Sequence, residues 1–500
     1  MKKVVIVGGG ITGLSAAYAV ERARDAGADV DYIVLEKSDR LGGKIQTERT
    51  ADGFIIEGGP DSFISTKPWI FELARKLKCE DKIIGSNDEL KKTYILVGNK
   101  LRELPDGIMM VVPTKIMPFV TTDLFSWPGK VRMAMDFFIP KKSEPGDETL
   151  SSYIRRRLGK ECLDRLADPL VAGIYSSDPE SMSLEATFPI LLEMEQKYGS
   201  LTKGMIAAMK SRHKAPASAP SHNSGQSGNG VQHSTQAGAK RTLHMSFRGG
   251  MQDVIDEAYS ALDKDKVLVG AEVCKVEEVK NPNGVTTYRL QMADGKVIDA
   301  DAVILASPAN STAPLVEGID KPLADVLNEI PHVSSATVSF AYRKKDVKHD
   351  FKGFGFLIPL GEGHKIKACT WSSSKWSGRA PDNDHAIVRA FLGGARTQQM
   401  AFLPDDEMEA IVKSELKSIM GIDAEPIRTW IFRWPDGMPQ YTIGHLERLK
   451  RVDERVAHHP GMFLAGGSYR GVGIPDCINS GTKAAEEAVE YISNIILVNH

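Results

Sequence analysis

Val4-Val5-Ile6-Val7-Gly8-Gly9-Gly10-Ile11-Thr12-Gly13-Leu14-Ser15-Ala16-Ala17, read with Tyr32-Ile33-Val34-Leu35-Glu36, decides the fold. A short β-branched run enters a glycine turn. The turn opens a segment with small and apolar residues at helical spacing, and a second apolar run ends in an acid. Strand, glycine turn, helix, strand, acid is the dinucleotide fingerprint in its full βαβ setting. Gly8 permits the tight turn, Gly10 lets the backbone approach a pyrophosphate, and Gly13 lets the helix pack closely on the sheet. Gly9, Ile11 and Thr12 complete a helix start whose N–H groups and dipole favour phosphate. Glu36 is placed to accept hydrogen bonds from a ribose 2′-OH, which argues against a 2′-phosphate. The glycine triplet alone would equally suit an ordinary loop; the flanking strands, helix and acid make the difference.

The next residues choose the nucleotide. Lys37 follows the acid, and Arg40-Leu41-Gly42-Gly43-Lys44 follows it in turn. A double glycine there lets the backbone pass close to the far side of a dinucleotide, and Arg40 and Lys44 bring positive charge. By itself the segment also reads as a charged β-turn. With Asp52-Gly53-Phe54-Ile55-Ile56-Glu57-Gly58-Gly59-Pro60-Asp61 after it, the pattern resembles the flavin amine oxidase superfamily. The resemblance implies that Arg40, Gly43 and Lys44 contact FAD and that Gly58, Gly59, Pro60 and Asp61 run beside the flavin. It also implies that backbone at Val273 brackets the adenine. At the far end, Met462-Phe463-Leu464-Ala465-Gly466-Gly467 reads as a strand into a glycine turn. Gly471-Val472-Gly473-Ile474-Pro475 then leads to a helix expected over Thr482–Val489. Gly467, Val472, Gly473, Ile474 and Pro475 are the flavin contacts implied there. A helix N-terminus at that place would stabilise the negative charge of a reduced flavin. Ser468 stands where the superfamily often has an acid. Cys477 reads as a small buried residue rather than a covalent flavin anchor, so FAD is expected to bind noncovalently.

Composition bounds the rest. Five hundred residues with 42% hydrophobic content can bury a large core and imply two or three domains. With a net charge of −2, nothing points to nucleic acid as a partner. The five cysteines are odd in number and widely spaced, which fits a reducing compartment, and no histidine or cysteine cluster has metal-ligand spacing. No signal region opens the chain, and no run reaches the about 18 apolar residues of a spanning helix. The expectation is a cytoplasmic protein, with a peripheral membrane contact compatible with it.

The pattern predicts an α/β fold: a Rossmann-like FAD-binding domain, a mixed-sheet substrate domain and a helical subdomain. The FAD-binding domain is expected from 1–72, 243–311 and 437–500. The substrate-binding domain is expected from 73–97, 187–210 and 312–436, and the helical subdomain from 98–186. A helix is expected over 65–85, a hairpin over 93–105 turning at Gly98-Asn99, and a hairpin over Thr286–Ala300 turning at Asp294-Gly295. Val267–Val273 and Ala302–Pro308, the latter ending in small residues, read as strands, and 333–435 as an antiparallel sheet. From about 107 to 195 apolar residues (Ile116, Phe119, Leu124, Phe125, Met133, Phe137, Phe138) fall at helical spacing. They fit ordinary core, or an apolar face for a membrane or long ligand. Ser211–Lys240 is rich in Ser, Gly, Ala, Pro and Asn, and 211–242 is read as a flexible insertion.

Longer motifs narrow the resemblance. Glu57–Phe63, Val112-Pro113-Thr114-Lys115, Pro169-Leu170-Val171-Ala172-Gly173-Ile174-Tyr175, Trp434–His445 and Gly471–Cys477 together resemble the bacterial porphyrinogen oxidases of haem synthesis, nearest to those acting on coproporphyrinogen III. Trp434 enters the expected cofactor set here. The resemblance implies removal of a hydride from a meso carbon to flavin N5, in three two-electron steps, with no catalytic side chain. Molecular oxygen would reoxidise the flavin with release of hydrogen peroxide, and the product would pass to a ferrochelatase. Protoporphyrinogen IX, or an amine or amino acid, is the alternative substrate; a flavin-containing binding protein without turnover is the other alternative. Substrate contacts are expected at Lys67, Ile174, Phe340 and Trp371. Lys91, Lys92, Arg102, Lys115, Arg343 and Lys344 are further cations in the expected substrate region.

Overall fold

In a computed structural model, residues 1–109, 111–113, 115–143, 146–214, 241–280 and 284–498 are described. The organising element is the strand Lys2–Val7, central in a five-stranded sheet ordered Val267–Leu268, Val30–Leu35, Lys2–Val7, Ala302–Leu305, Met462–Leu464. All its pairings are parallel, with Val4 opposite Tyr32 on one side and Ala302 on the other. Parallel sheets are covered on both faces, which explains the unbroken apolar run. Val4 and Ile6 pack into one core with Leu14, Ala17 and Ile255. Val5 and Val7 face a second core with Leu290, Val316 and Leu323.

Helix Ile11–Asp25 lies against the long last helix, Ile474–Val498. The two approach so closely that a Cβ at Gly481 would overlap the Thr12 carbonyl oxygen. This helix starts before the expected Thr482, because Pro475 fits its first turn, where no N–H partner is needed.

The second sheet has seven strands, ordered Arg428–Pro439, His332–Arg343, His385–Gly393, Ala368–Trp371, Gly355–Leu357, Thr93–Val97, Lys100–Glu103. It is mixed: Gly355–Leu357 runs parallel to Thr93–Val97 and every other pairing is antiparallel. Along His332–Arg343 the side chains alternate. Ala336, Val338, Phe340 and Tyr342 pack on Met408, Val412 and Leu416 of helix Asp405–Met420. Thr337 and Ser339 face the other way, toward Gly58. The Gly98-Asn99 turn has φ of +59° and +58°, the geometry of a type I′ hairpin. The Thr286–Met292 and Val297–Ala300 hairpin also forms.

Three elements depart from expectation. The helix within 65–85 is only Trp69–Lys76, because Lys78 turns left-handed (φ +58°) and brings Cys79 into the core. The strand Val267–Val273 breaks after Leu268: Gly270 and Ala271 leave the ladder to donate to the Ser38 and Glu36 carbonyls, at 2.8 Å each. The expected insertion begins later than Ser211, because helix Leu201–Lys214 runs on to Lys214. Residues 215–240 lie outside those described.

A third core gathers the helices of residues 116–214, around Leu124, Tyr153, Leu166, Leu191 and Leu201. On their outer side Ile116, Met117, Trp127 and Phe138 are exposed. Among the described residues no helix is long and apolar enough to cross a membrane, and no group of His, Cys, Asp and Glu could hold a metal ion.

Candidate active site

The nucleotide end is built from backbone. At Gly8 (φ +112°) a Cβ would stand 3.1 Å from the Ala306 carbonyl oxygen, and at Gly13 it would overlap the Gly8 carbonyl oxygen. At Gly10 a Cβ would meet nothing closer than 4.0 Å, so space is open in front of the helix. That helix has no side-chain cap and no acid in its first turn. The N–H groups of Ile11, Thr12 and Gly13 therefore present an anion-binding end. Glu36 is buried; its Oε2 accepts from Gly9 N–H at 2.6 Å and its Oε1 from Ser38 N–H at 2.9 Å. The carboxylate is thus oriented by the turn that follows the first strand. Lys37 beside it points to solvent.

The double glycine closes over this turn. Gly42 N–H donates to the Gly9 carbonyl at 2.9 Å, and Gly10 and Gly42 form a parallel bridge. Arg40 braces the loop through the Gly43 carbonyl (2.6 Å) and the Ile45 carbonyl (3.2 Å). Lys44 is solvent-accessible, yet loss of hydration holds its pKa below the usual lysine value, with Cys477 the only group opposing. The open space in front of Gly10, bordered by Gly42 and Gly43, is the mouth of a cleft. Val273 is core, packed in the same cluster as Leu35, so any contact it makes with a ligand is through its backbone.

The other end of the cleft is closed by the last helix. Tyr441 joins its two glycine turns: the hydroxyl donates to the Gly467 carbonyl at 2.8 Å and accepts from Gly471 N–H at 2.7 Å. Val472, Gly473, Ile474 and Pro475 form the approach to the helix and its first turn. Cys477 lies in that turn, and burial pushes its thiol up to about 11, so it is protonated at neutral pH. Ser468 is turned away to accept from Ala309 N–H at 3.0 Å, serving the next helix.

Between the two ends runs Gly58-Gly59-Pro60-Asp61. The Gly58 carbonyl accepts from Trp434 Nε1 (2.9 Å), Arg389 Nη2 (2.8 Å) and Thr337 Oγ1 (3.2 Å). Arg389 Nη2 also donates to the Gly59 carbonyl at 2.6 Å. A Cβ at Gly59 would overlap the Lys44 carbonyl oxygen, so the turn lies directly on the double-glycine loop. Asp61 accepts from Lys375 Nζ (2.9 Å) and Trp376 Nε1 (3.1 Å); despite its burial, Lys375 and Arg389 hold its carboxyl far below the usual range. Glu57 is pushed the other way by burial, although Arg379 stands 3.5 Å off. A cavity of about 10 Å³ among these groups exposes three polar atoms without partners, Ser339 Oγ, Arg379 Nε and Arg389 Nε. It has room for one water. Arg379, Arg389 and Lys375 carried no motif, and Tyr441 lay unmarked within Trp434–His445. A charged residue at an inward position of the apolar strand around Arg389 was the one available signal.

The sequence-derived substrate residues separate. Lys67 Nζ binds both oxygens of Asp476 at 2.6 Å, and Ile174 is 60% exposed at the end of helix Asp168–Tyr175. Phe340 and Trp371 are corrected: both are core on the helix-covered face of the large sheet. Phe340 packs edge-on against Tyr342, and Trp371 sits among His349, Phe351 and Phe356. The two-residue period along Thr337-Val338-Ser339-Phe340 sends the small residues, not the aromatic one, toward Gly58. Lys92 and Arg102 pair with Glu103 and Asp123, while Lys91, Lys115, Arg343 and Lys344 are exposed.

A cleft between the uncapped start of helix Ile11–Asp25 and the start of the last helix, walled by glycine turns and open at Gly10, fits a dinucleotide whose far end is a flavin. Known proteins agree. The profile of the flavin containing amine oxidoreductases matches residues 11–489. Coproporphyrinogen III oxidase of Bacillus subtilis (strain 168) is 36% identical over 493 residues, covering 98% of both chains. The protein of the same name from Staphylococcus aureus (strain NCTC 8325 / PS 47) is 32% identical over 493 residues, covering 98% of this chain and 99% of its own. A crystal structure from Exiguobacterium sp. 255-15 superposes with a TM-score of 0.81 at 31% identity, over 98% of this chain and 99% of that one. Glycine turns, sheet order and similarity along the whole length lead to one conclusion: the chain belongs to the flavin-containing amine oxidoreductase family.

Proposed function

We propose that this protein binds FAD noncovalently and oxidises coproporphyrinogen III to coproporphyrin III, a six-electron reaction with oxygen as acceptor and hydrogen peroxide as by-product. The observation that carries the reading is full-length similarity to enzymes of that name, which spans the cofactor turns and the substrate-side elements alike. Bound flavin supplies the two-electron acceptor. The protein contributes position and electrostatics. Gly8–Gly13 and the helix end behind them hold phosphate, with Glu36 toward a ribose. Arg389, Trp434 and Thr337 fix the Gly58–Pro60 turn beside the ring system. The start of the last helix would, through its dipole, stabilise the negative charge that gathers on a reduced flavin held before it. The protonated Cys477 thiol supports a noncovalent cofactor. In this reading 1–72, 243–311 and 437–500 carry the cofactor, 73–97, 187–210 and 312–436 the substrate, and 98–186 a helical cover. The buried thiols of Cys79, Cys162 and Cys369 suit a cytoplasmic enzyme, whose product would pass to a ferrochelatase.

The test is anaerobic mixing of the holoenzyme with each reductant in turn. Coproporphyrinogen III is expected to bleach the flavin band rapidly, and amines to leave it unchanged; the reverse result overturns the proposal. Acid precipitation is expected to leave the flavin in the supernatant. The exposed Ile116, Met117, Trp127 and Phe138 favour a second reading, protoporphyrinogen IX oxidation at a lipid surface. Comparing kcat/KM for the two porphyrinogens decides between them.

A further inference from the structure

Two lysines flank the outer part of the cleft, and they differ in charge balance. Lys67 is neutralised by Asp476, at the start of the last helix. Lys367 has no carboxylate among the described residues; its ammonium donates to Ser176 Oγ at 2.8 Å. Its backbone is pinned from both sides, N–H to the Phe391 carbonyl (3.0 Å) and carbonyl from Ile358 N–H (2.9 Å). Ser176 is held left-handed (φ +52°) directly after helix Asp168–Tyr175, and its carbonyl accepts from Ala395 N–H at 2.8 Å. Gly394 (φ +91°) leaves the room: a Cβ there would stand 2.9 Å from Lys367 Nζ. Part of the Lys367 side chain stays open to solvent, and Ile174 on the adjoining helical turn is exposed. The Tyr175 carbonyl, between them, accepts from Gln440 Nε2 at 3.4 Å, next to the Tyr441 that holds the Gly467 and Gly471 turns, so this corner borders the last-helix end of the cleft. Lost hydration alone lowers the Lys367 ammonium to about 8. A cation in that position is stabilised by any carboxylate brought to it.

We propose that Lys367, oriented by Ser176 and Gly394, is the specificity residue that receives a carboxylate of the substrate. The inference rests on the porphyrinogen reading and deepens it by naming the cation that sequence motifs did not mark. It also separates the two lysines, since Lys67 already has its counter-charge.

The holoenzyme is titrated with coproporphyrin III and with its tetramethyl ester, which keeps the macrocycle and removes every charge, following porphyrin fluorescence. Lys367→Met is expected to weaken coproporphyrin III binding about tenfold or more. It should leave the ester and the flavin content unchanged, and Lys367→Arg should restore most of the loss. Equal weakening of acid and ester, or an unchanged Met variant, overturns the inference while the porphyrinogen reading stands. Wild-type holoenzyme that binds neither ligand overturns that reading and the inference with it.

Discussion

The nucleotide end of the cleft and its middle stretch are made of different material. At the nucleotide end the working parts are backbone: Gly8, Gly10, Gly13, Gly42 and a helix start, with the longest side-chain link, Gly9 to Glu36, spanning 27 residues. Beneath the Gly58–Pro60 turn the working parts are buried charges drawn from distant chain: Lys375 reaches Asp61 across 314 residues and Arg389 reaches Gly58 across 331. Backbone recognition of phosphate demands glycine at fixed spacing, so it leaves a mark in a short stretch of sequence. A network of buried side chains demands only that its members meet in space, so it leaves none.

The sharpest way to break this contrast is at the glycines. Gly13→Ala places a methyl group on the Gly8 carbonyl, and the expected loss is above about 4 kcal/mol, read as failure to fold or to retain flavin. Gly10→Trp fills open space instead, so its apoprotein is expected to melt near wild type while flavin binding is lost. Equal melting losses for both would remove the distinction between packing and ligand glycines. In the middle stretch, Arg389→Met removes the donor to two carbonyls and unbalances Asp61. About 3–5 kcal/mol is expected, measured as a shift in the urea midpoint.

A smaller effect is set by pH. His445 is fully buried, its Nε2–H donates to the Tyr469 carbonyl at 2.8 Å, and its ring stacks on Tyr441 at 3.9 Å. Burial, helped by Arg448 and Arg470, lowers its pKa to about 4. Between there and the unfolded value of about 6.5 the unfolded chain binds a proton that the folded protein refuses. Stability is therefore complete above about pH 6.5 and falls with acid, by about 2 kcal/mol at pH 5 from this group. His332 and His244, also lowered to about 4, act in the same direction. His445→Gln is expected to make the acid slope shallower by one proton; an unchanged slope would show that His445 does not titrate in this window. The smallest effect is at the corrected aromatic. Phe340→Leu is expected to lose about 1 kcal/mol of stability with no change in porphyrinogen KM. A raised KM at unchanged stability would return Phe340 to the cleft.

The parts legible in sequence follow the same division. The parallel sheet, both hairpin turns and the glycine turns announce themselves by period and by residues with few conformational alternatives. Phe340 and Trp371 were misplaced because periodicity reports that a strand has two faces, not which face meets the cofactor. Lys367 carried no mark because a lysine just before a strand looks like any surface lysine until Ser176 and Gly394 are folded around it. The start of the last helix was set too late because Pro475 reads as a breaker, although a first turn accepts it.

The order of the parallel sheet also sets a timetable. One edge of Lys2–Val7 finds Val30–Leu35 almost at once, but the other belongs to Ala302–Leu305, and the sheet ends with Met462–Leu464. At translation rates of about 5–20 residues per second, that second edge waits about 15–60 s unpaired, while the last helix that covers Ile11–Asp25 has not yet been made. The segment that reads most clearly in the sequence is thus among the last to be completed in the cell, and during that interval it is the chain's most exposed template for aggregation.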